Sequence, residues 1–187
     1  MMRTVRIAVL ALTAVMASAC GRSDDSAVPR RTAYPRLELY ADSTVTASVD
    51  GVSFDINAGA DTAALRDGWL DIAYPRYNAV IHVTVRRLAS PEELEEAIAN
   101  RVQRMSLNLG ERTAVASDFE NEAGFTCRTL TSLDGGPTPV QFMAYRADGS
   151  LVSGVADISG SSEPADSIGP TVRALAADAE TLLKSLR

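Results

Sequence analysis

From residue 44 onward the chain alternates apolar and polar side chains in short runs broken by Asp-Gly turns, a pattern that an antiparallel sheet satisfies and a helical fold does not. Thr44 to Val49 and Val52 to Ile56 flank Asp50-Gly51, a dipeptide that supplies the two positive φ angles of a type I′ turn and so predicts a tight hairpin. Val140 to Tyr145 and Leu151 to Ile158 flank Ala147-Asp148-Gly149-Ser150 in the same way. Trp69 to Tyr74, interrupted by Pro75, and Tyr77 to Leu88 form a further pair of expected strands, and Thr113 to Phe119 and Gly124 to Leu133 another. Within Tyr77–Leu88, Ile81, Val83 and Val85 share one face. His82, Thr84 and Arg86 share the other, so strand alternation sends the chain's single histidine to a polar, surface side. Leu37 and Leu39, after Tyr34-Pro35-Arg36, alternate as an additional strand would, and Asn57 to Asp67 is expected to be a polar connection.

Two segments change period from two to 3.6. Ser90-Pro91-Glu92-Glu93 combines a serine cap, a proline at the first helical position and a glutamate at the capping-box position. Leu94, Ala97, Ile98, Val102 and Met105 then fall on one helical face, and Gly110 ends the segment. A second helix starts between Pro164 and Pro170 and carries Val172, Leu175, Ala179, Leu182, Leu183 and Leu186 on one stripe. Two one-sided helices and about seven or eight hairpin-linked strands predict an α+β fold, an antiparallel sheet with two flanking helices. With 46% hydrophobic residues the chain has enough apolar surface for one core, and residues 33–187 are expected to form a single domain.

Residues 1–19 do not belong to that pattern. Arg3 and Arg6 precede an uncharged stretch from Ile7 to Met16 and then Ala17-Ser18-Ala19-Cys20, the order of a secretory signal. The apolar run is about 15 Å long as a helix, roughly half the hydrocarbon thickness, too short for a spanning anchor. Small residues before a cysteine resemble the lipobox of bacterial lipoproteins, which implies diacylglycerol on the Cys20 thiol and cleavage just before it; Ala17 stands where that motif usually has leucine. The alternative is plain signal cleavage beside an incidental cysteine. Residues 20–32 would then be a lipidated amino terminus and a tether too poor in large apolar side chains to fold. Ser23-Asp24-Asp25 resembles the short acidic signals that send some lipoproteins to the cell surface, and equally fits a solvated tether.

Charge and composition exclude several functions. With 18 basic against 24 acidic residues, net charge -6, the chain lacks the field that nucleic-acid binding needs. One histidine and two cysteines, Cys20 and Cys127, leave no material for a multi-histidine metal site or a disulfide framework, and no metal or cofactor is expected. The acidic run Glu92, Glu93, Glu95 and Glu96 fits the positive end of a helix dipole without an ion. Gly135-Gly136 lacks a phosphate-loop lysine, and no G-x-S-x-G nucleophile elbow is present. A Cys127 nucleophile would need His82 as its base, whereas a small buried hydrophobe in a strand needs nothing. A non-enzymatic protein is therefore expected.

Two blocks point to a family. Trp69-Leu70-Asp71-Ile72-Ala73-Tyr74-Pro75, followed by Ala79-Val80-Ile81-His82, resembles the W-x-[ND]-I-x-[FY]-P segment and ensuing strand of the gliding motility lipoprotein GldD family. Asp134-Gly135-Gly136 with Pro139-Val140-Gln141-Phe142 resembles its glycine turn and V-Q-F strand, and Asp166-Ser167-Ile168-Gly169-Pro170 its lead-in to the last helix. The resemblance runs from about Tyr34 to Leu186, and Tyr145-Arg146 and the alanine-rich last helix depart from it. It implies a lipid-anchored component of the gliding motility and type IX secretion apparatus, partnered by envelope proteins and facing the periplasm from the outer membrane. The order of elements also resembles the Mog1/PsbP-like α/β/α sandwich, an analogy of fold that carries no function. Two other readings compete: a lipoprotein module binding a small ligand around Trp69, Tyr74 and Tyr77, and a hydrolase using Cys127 or His82.

Overall fold

The computed structural model describes residues 37–159 and 165–187. Asp50 and Gly51 both take positive φ, 49° and 78°, and close the expected hairpin between β1 (Thr44–Val49) and β2 (Val52–Asn57). This pair stands apart as its own two-stranded sheet. The main sheet has seven strands: β3 (Asp61–Arg66), β4 (Trp69–Tyr74), β5 (Ala79–Arg87), β6 (Val115–Glu120), β7 (Thr126–Thr131), β8 (Val140–Tyr145) and β9 (Ser150–Ile158). Their order is β3-β4-β5-β9-β8-β7-β6, every neighbouring pair antiparallel. Two meanders thus meet where β5 pairs with β9, the two longest strands.

Two expectations fail at the margins of this sheet. Residues 37–41 form no strand, although Leu37 and Leu39 alternate; Leu39 is 65% exposed. Tyrosine hydroxyls take the place of a ladder there. The Tyr40 amide donates to the Tyr77 hydroxyl at 3.1 Å, and the Arg76 amide donates to the Tyr40 hydroxyl at 3.1 Å. The supposed connection from Asn57 to Asp67 contains β3, an edge strand whose six side chains are all exposed. With no buried face, β3 has no reason to alternate, and the described residues hold nine strands rather than seven or eight.

The two helices form as their caps and stripes dictate. In α1 (Pro91–Leu109) the Ser90 hydroxyl accepts the Glu93 amide at 3.2 Å, and the Glu93 carboxylate reaches back to the Ala89 amide at 3.0 Å. Gly110, at φ 61°, ends it. In α2 (Ala165–Ser185), Val172, Leu175, Ala179, Leu182 and Leu183, followed by Leu186 just beyond its end, are all 2% exposed or less. They pack on the sheet face that carries Leu70, Ile72, Ile81, Val83, Phe142, Ala144 and Val152. Removing a leucine side chain from water is worth about 1.5–3 kcal/mol, so this stripe is the main hydrophobic tie of the domain.

The β1–β2 hairpin completes the same layer with Val52, Phe54 and Ile56. Ser53 and Arg187 exchange two backbone hydrogen bonds, at 2.9 and 3.0 Å, and the Asp55 amide donates to the Ser185 hydroxyl at 2.8 Å. Asn121 locks the end of α2 from the other side. Its Nδ2 donates to the carbonyls of Leu183 and Leu186, while its Oδ1 accepts the amides of Ala123 and Phe125, all between 2.9 and 3.1 Å. Helix α1 crosses the opposite face, where Gln141 Nε2 donates to the Met105 carbonyl at 3.2 Å. The expected α+β fold with two flanking helices is what the described residues adopt.

Candidate functional site

Cys20 lies outside the described residues. Cys127 is fully buried on the α2 face, its thiol against the carbonyls of Phe125 and Leu183 at 3.5 and 3.9 Å, and burial pushes the thiol up to about 11. His82 lies on the α1 face. The sheet therefore separates the cysteine from the base it would need, and the two share no cleft.

Strand parity divides the aromatic candidates as well. Tyr74 and Tyr77 stack with ring centroids 5.8 Å apart and Tyr40 set edge-on to both, in the core on the α2 side. Burial and the adjoining Asp178 carboxylate push the Tyr74 hydroxyl well above its ordinary range. Trp69, five residues before Tyr74, points from the other face, with the Arg66 guanidinium 3.9 Å from its ring centroid. The aromatic cleft that the ligand-binding reading required around these three residues does not form. Tyr74 and Tyr77 fill the interior, and Trp69 is left on the far side.

What the α1 face holds is a polar groove. Helix α1 leads from the central β5 to the edge strand β6 and rests on β8 and β9, so the surface of β4 and β5 beside it stays uncovered. The groove measures about 440 Å³, and its walls include Trp69, His82, Thr84, Arg86, Arg101 and Arg104. Antiparallel register sets Asp71 opposite His82, and His82 Nδ1 lies 2.7 Å from Asp71 Oδ1. His82 is thus half-buried at 38% exposure and held by a carboxylate, rather than free on an open surface. The hydroxyls of Thr84 and Ser153, both in the groove wall, bond each other at 3.1 Å.

Arg101 is the unusual member. It falls on the inward stripe of α1 between Leu94 and Met105, and its Nη2 donates to the Gly154 carbonyl at 2.7 Å and the Phe142 carbonyl at 3.4 Å. Its Nε is buried with no hydrogen-bond partner. Burial, and then the charge of Arg104, lower its hold on the proton. Among the described residues no carboxylate pairs with Arg86, Arg101 or Arg104. Sequence reasoning missed this convergence, although an arginine in the apolar stripe Leu94, Ile98, Arg101, Met105 was a visible signal. Among the described residues no three metal-ligating side chains are grouped, and no helix is long and apolar enough to cross a membrane.

A filled core behind one sheet face and a polar groove on the other define a domain of the α+β class. The chain belongs to the gliding motility lipoprotein GldD family, whose model matches residues 24–187. No curated protein matches it. A member of that family is a gliding motility-associated lipoprotein, a membrane-anchored protein of the cell envelope. The segments that carried the resemblance are those that tie the layers together. Asp71 of the first holds His82, and its Tyr74 enters the tyrosine stack. Gln141 of the second bonds α1, and Phe142 fills the space left by Gly154.

Proposed function

We propose that this protein is a non-enzymatic accessory component of the gliding motility and type IX secretion apparatus, held by lipid on Cys20 at the periplasmic face of the outer membrane. The observation that carries this reading is the family match over residues 24–187, which begins just after a lipobox-like Ala17-Ser18-Ala19-Cys20. Each buried methylene contributes about 0.8 kcal/mol, and two or more acyl chains hold a protein on a bilayer stably where one does so marginally. The acidic body, net charge -6 for the whole chain, gives anionic headgroups no reason to attract it, so the anchor alone attaches it. Confinement beside the membrane raises the domain's effective concentration for embedded partners without any new contact.

A non-catalytic role fits the placement of Cys127 and His82 on opposite sides of the sheet. Cys20→Ser should leave the fold intact and move the protein from the membrane pellet to the soluble periplasmic fraction. Retention of that variant in the pellet would overturn the anchor. Crosslinking from the exposed α1 side in intact cells should capture a motility or secretion component, and its consistent absence would overturn the proposed partners.

A further inference from the structure

We propose that the groove between α1 and strands β4, β5 and β9 is a binding site for a small phosphate monoester. The argument starts from charge. Acidic residues outnumber basic ones, 24 to 18, and several arginines elsewhere in the described residues find a carboxylate or an aromatic face: Arg87 and Arg146 share Asp148, Arg128 pairs with Asp118, Arg187 with Asp55, and Arg66 and Arg76 lie over the rings of Trp69 and Tyr40. Arg86, Arg101 and Arg104 line one groove and, among the described residues, have no such partner. Three guanidinium groups line one groove without an ion-pair partner, the charge of Arg104 disfavours that of Arg101, and a bound anion relieves the repulsion.

Arg101 adds a second, independent observation. A buried Nε with no partner costs on the order of 1–3 kcal/mol unless something outside the chain satisfies it. Two backbone carbonyls fix its fork in place, so a ligand oxygen meets a preorganised donor rather than a flexible side chain. Asp71 fixes the His82 imidazole through Nδ1, leaving Nε2 as a further polar group for the ligand. The charge count selects the ligand class. A carboxylate offsets one positive charge and leaves the others facing each other, whereas a phosphate monoester near neutral pH carries close to two negative charges and enough oxygens for bidentate contacts to more than one arginine. A volume of about 440 Å³ suits a small molecule of hexose phosphate size.

Trp69 is the only tryptophan in the chain and lines the groove, so its fluorescence reports occupancy directly. Detergent-solubilised mature protein is titrated at constant ionic strength with glucose 6-phosphate, dihexanoyl phosphatidic acid and glucose. Both phosphate monoesters should give saturable changes and glucose none. Tighter binding of phosphatidic acid assigns the site to a lipid headgroup, and tighter binding of glucose 6-phosphate to a soluble ester. Arg104→Gln, an exposed change on α1, should weaken binding about tenfold or more, as expected for a lost charge-assisted contact. Arg173→Gln, exposed on α2 and remote from the groove, should not. Circular dichroism confirms that both variants are folded. No saturable response to either ester, an equal response to glucose, or an affinity that Arg104→Gln leaves unaltered would overturn the proposal.

Discussion

The two faces of the seven-stranded sheet are made by the same strands, yet one is sealed and the other is not. On the α2 face the helix stripe is buried to 2% exposure or less and meets the β1–β2 hairpin, the stacked Tyr74 and Tyr77, and Phe142. On the α1 face Leu94 and Met105 alone among the helix residues are fully buried, and an arginine occupies the inward stripe. A sheet that gains its hydrophobic stability on one side is free to keep charge on the other. The sharpest way to break this comparison is to cut a side chain from each face. Phe142→Ala empties space beneath α2 and should destabilise the protein by about 3–5 kcal/mol in urea unfolding. Val102→Ala, half-buried on α1, should cost less than about 1.5 kcal/mol. Equal losses would mean that both helices seal the sheet alike.

A middle-sized effect tests how dry the α2 face is. The Cys127 thiol is raised from 9.0 to about 11 by burial, so the folded state resists ionisation that the unfolded chain accepts. The group's contribution is therefore fully present below pH 9 and is lost as pH rises toward and through 11. Relative to Cys127→Val, which has nothing to titrate there, the native sequence should lose about 2 kcal/mol between pH 8 and 10.5 in urea unfolding. The thiol should also resist alkylation at pH 8 until the protein unfolds. Ready alkylation in the folded state, or identical pH profiles for the two proteins, would show that water reaches this face.

What the sequence disclosed follows the range over which each feature acts. Asp50-Gly51 and Ser90-Pro91-Glu92-Glu93 are local chemistry, and the turn and the cap form where they are written. The α2 stripe is local periodicity, and every residue named on it is buried. Edge strand β3 left no trace, because alternation records a buried face and β3 has none. Leu37 and Leu39 do alternate, but Tyr40 pins their segment, its amide donating to the Tyr77 hydroxyl and its own hydroxyl accepting the Arg76 amide from the far side of the hairpin and β3–β4. The groove is less legible still. Asp71 meets His82 through strand register, and Arg101 and Arg104 share a groove with Arg86 only because α1 lies across the same sheet face. Arg101 interrupting an apolar stripe was the one local sign of that meeting.

The smallest effect sharpens the same contrast at the start of α1. Ser90 accepts the Glu93 amide, and replacing such a cap by alanine costs about 1 kcal/mol. If α1 rested on a sealed core, that loss would be shared by the whole domain and appear in global unfolding. Because α1 lies lightly on β8 and β9 beside an open groove, its first turns should open on their own. Ser90→Ala should then speed amide hydrogen exchange about fivefold from Glu93 to Ala97 and leave the β5 and β9 amides unchanged. A uniform acceleration across helix and strands would show that α1 unfolds only with the rest. The groove walls formed by Arg101 and Arg104 would then be as rigid as the core opposite.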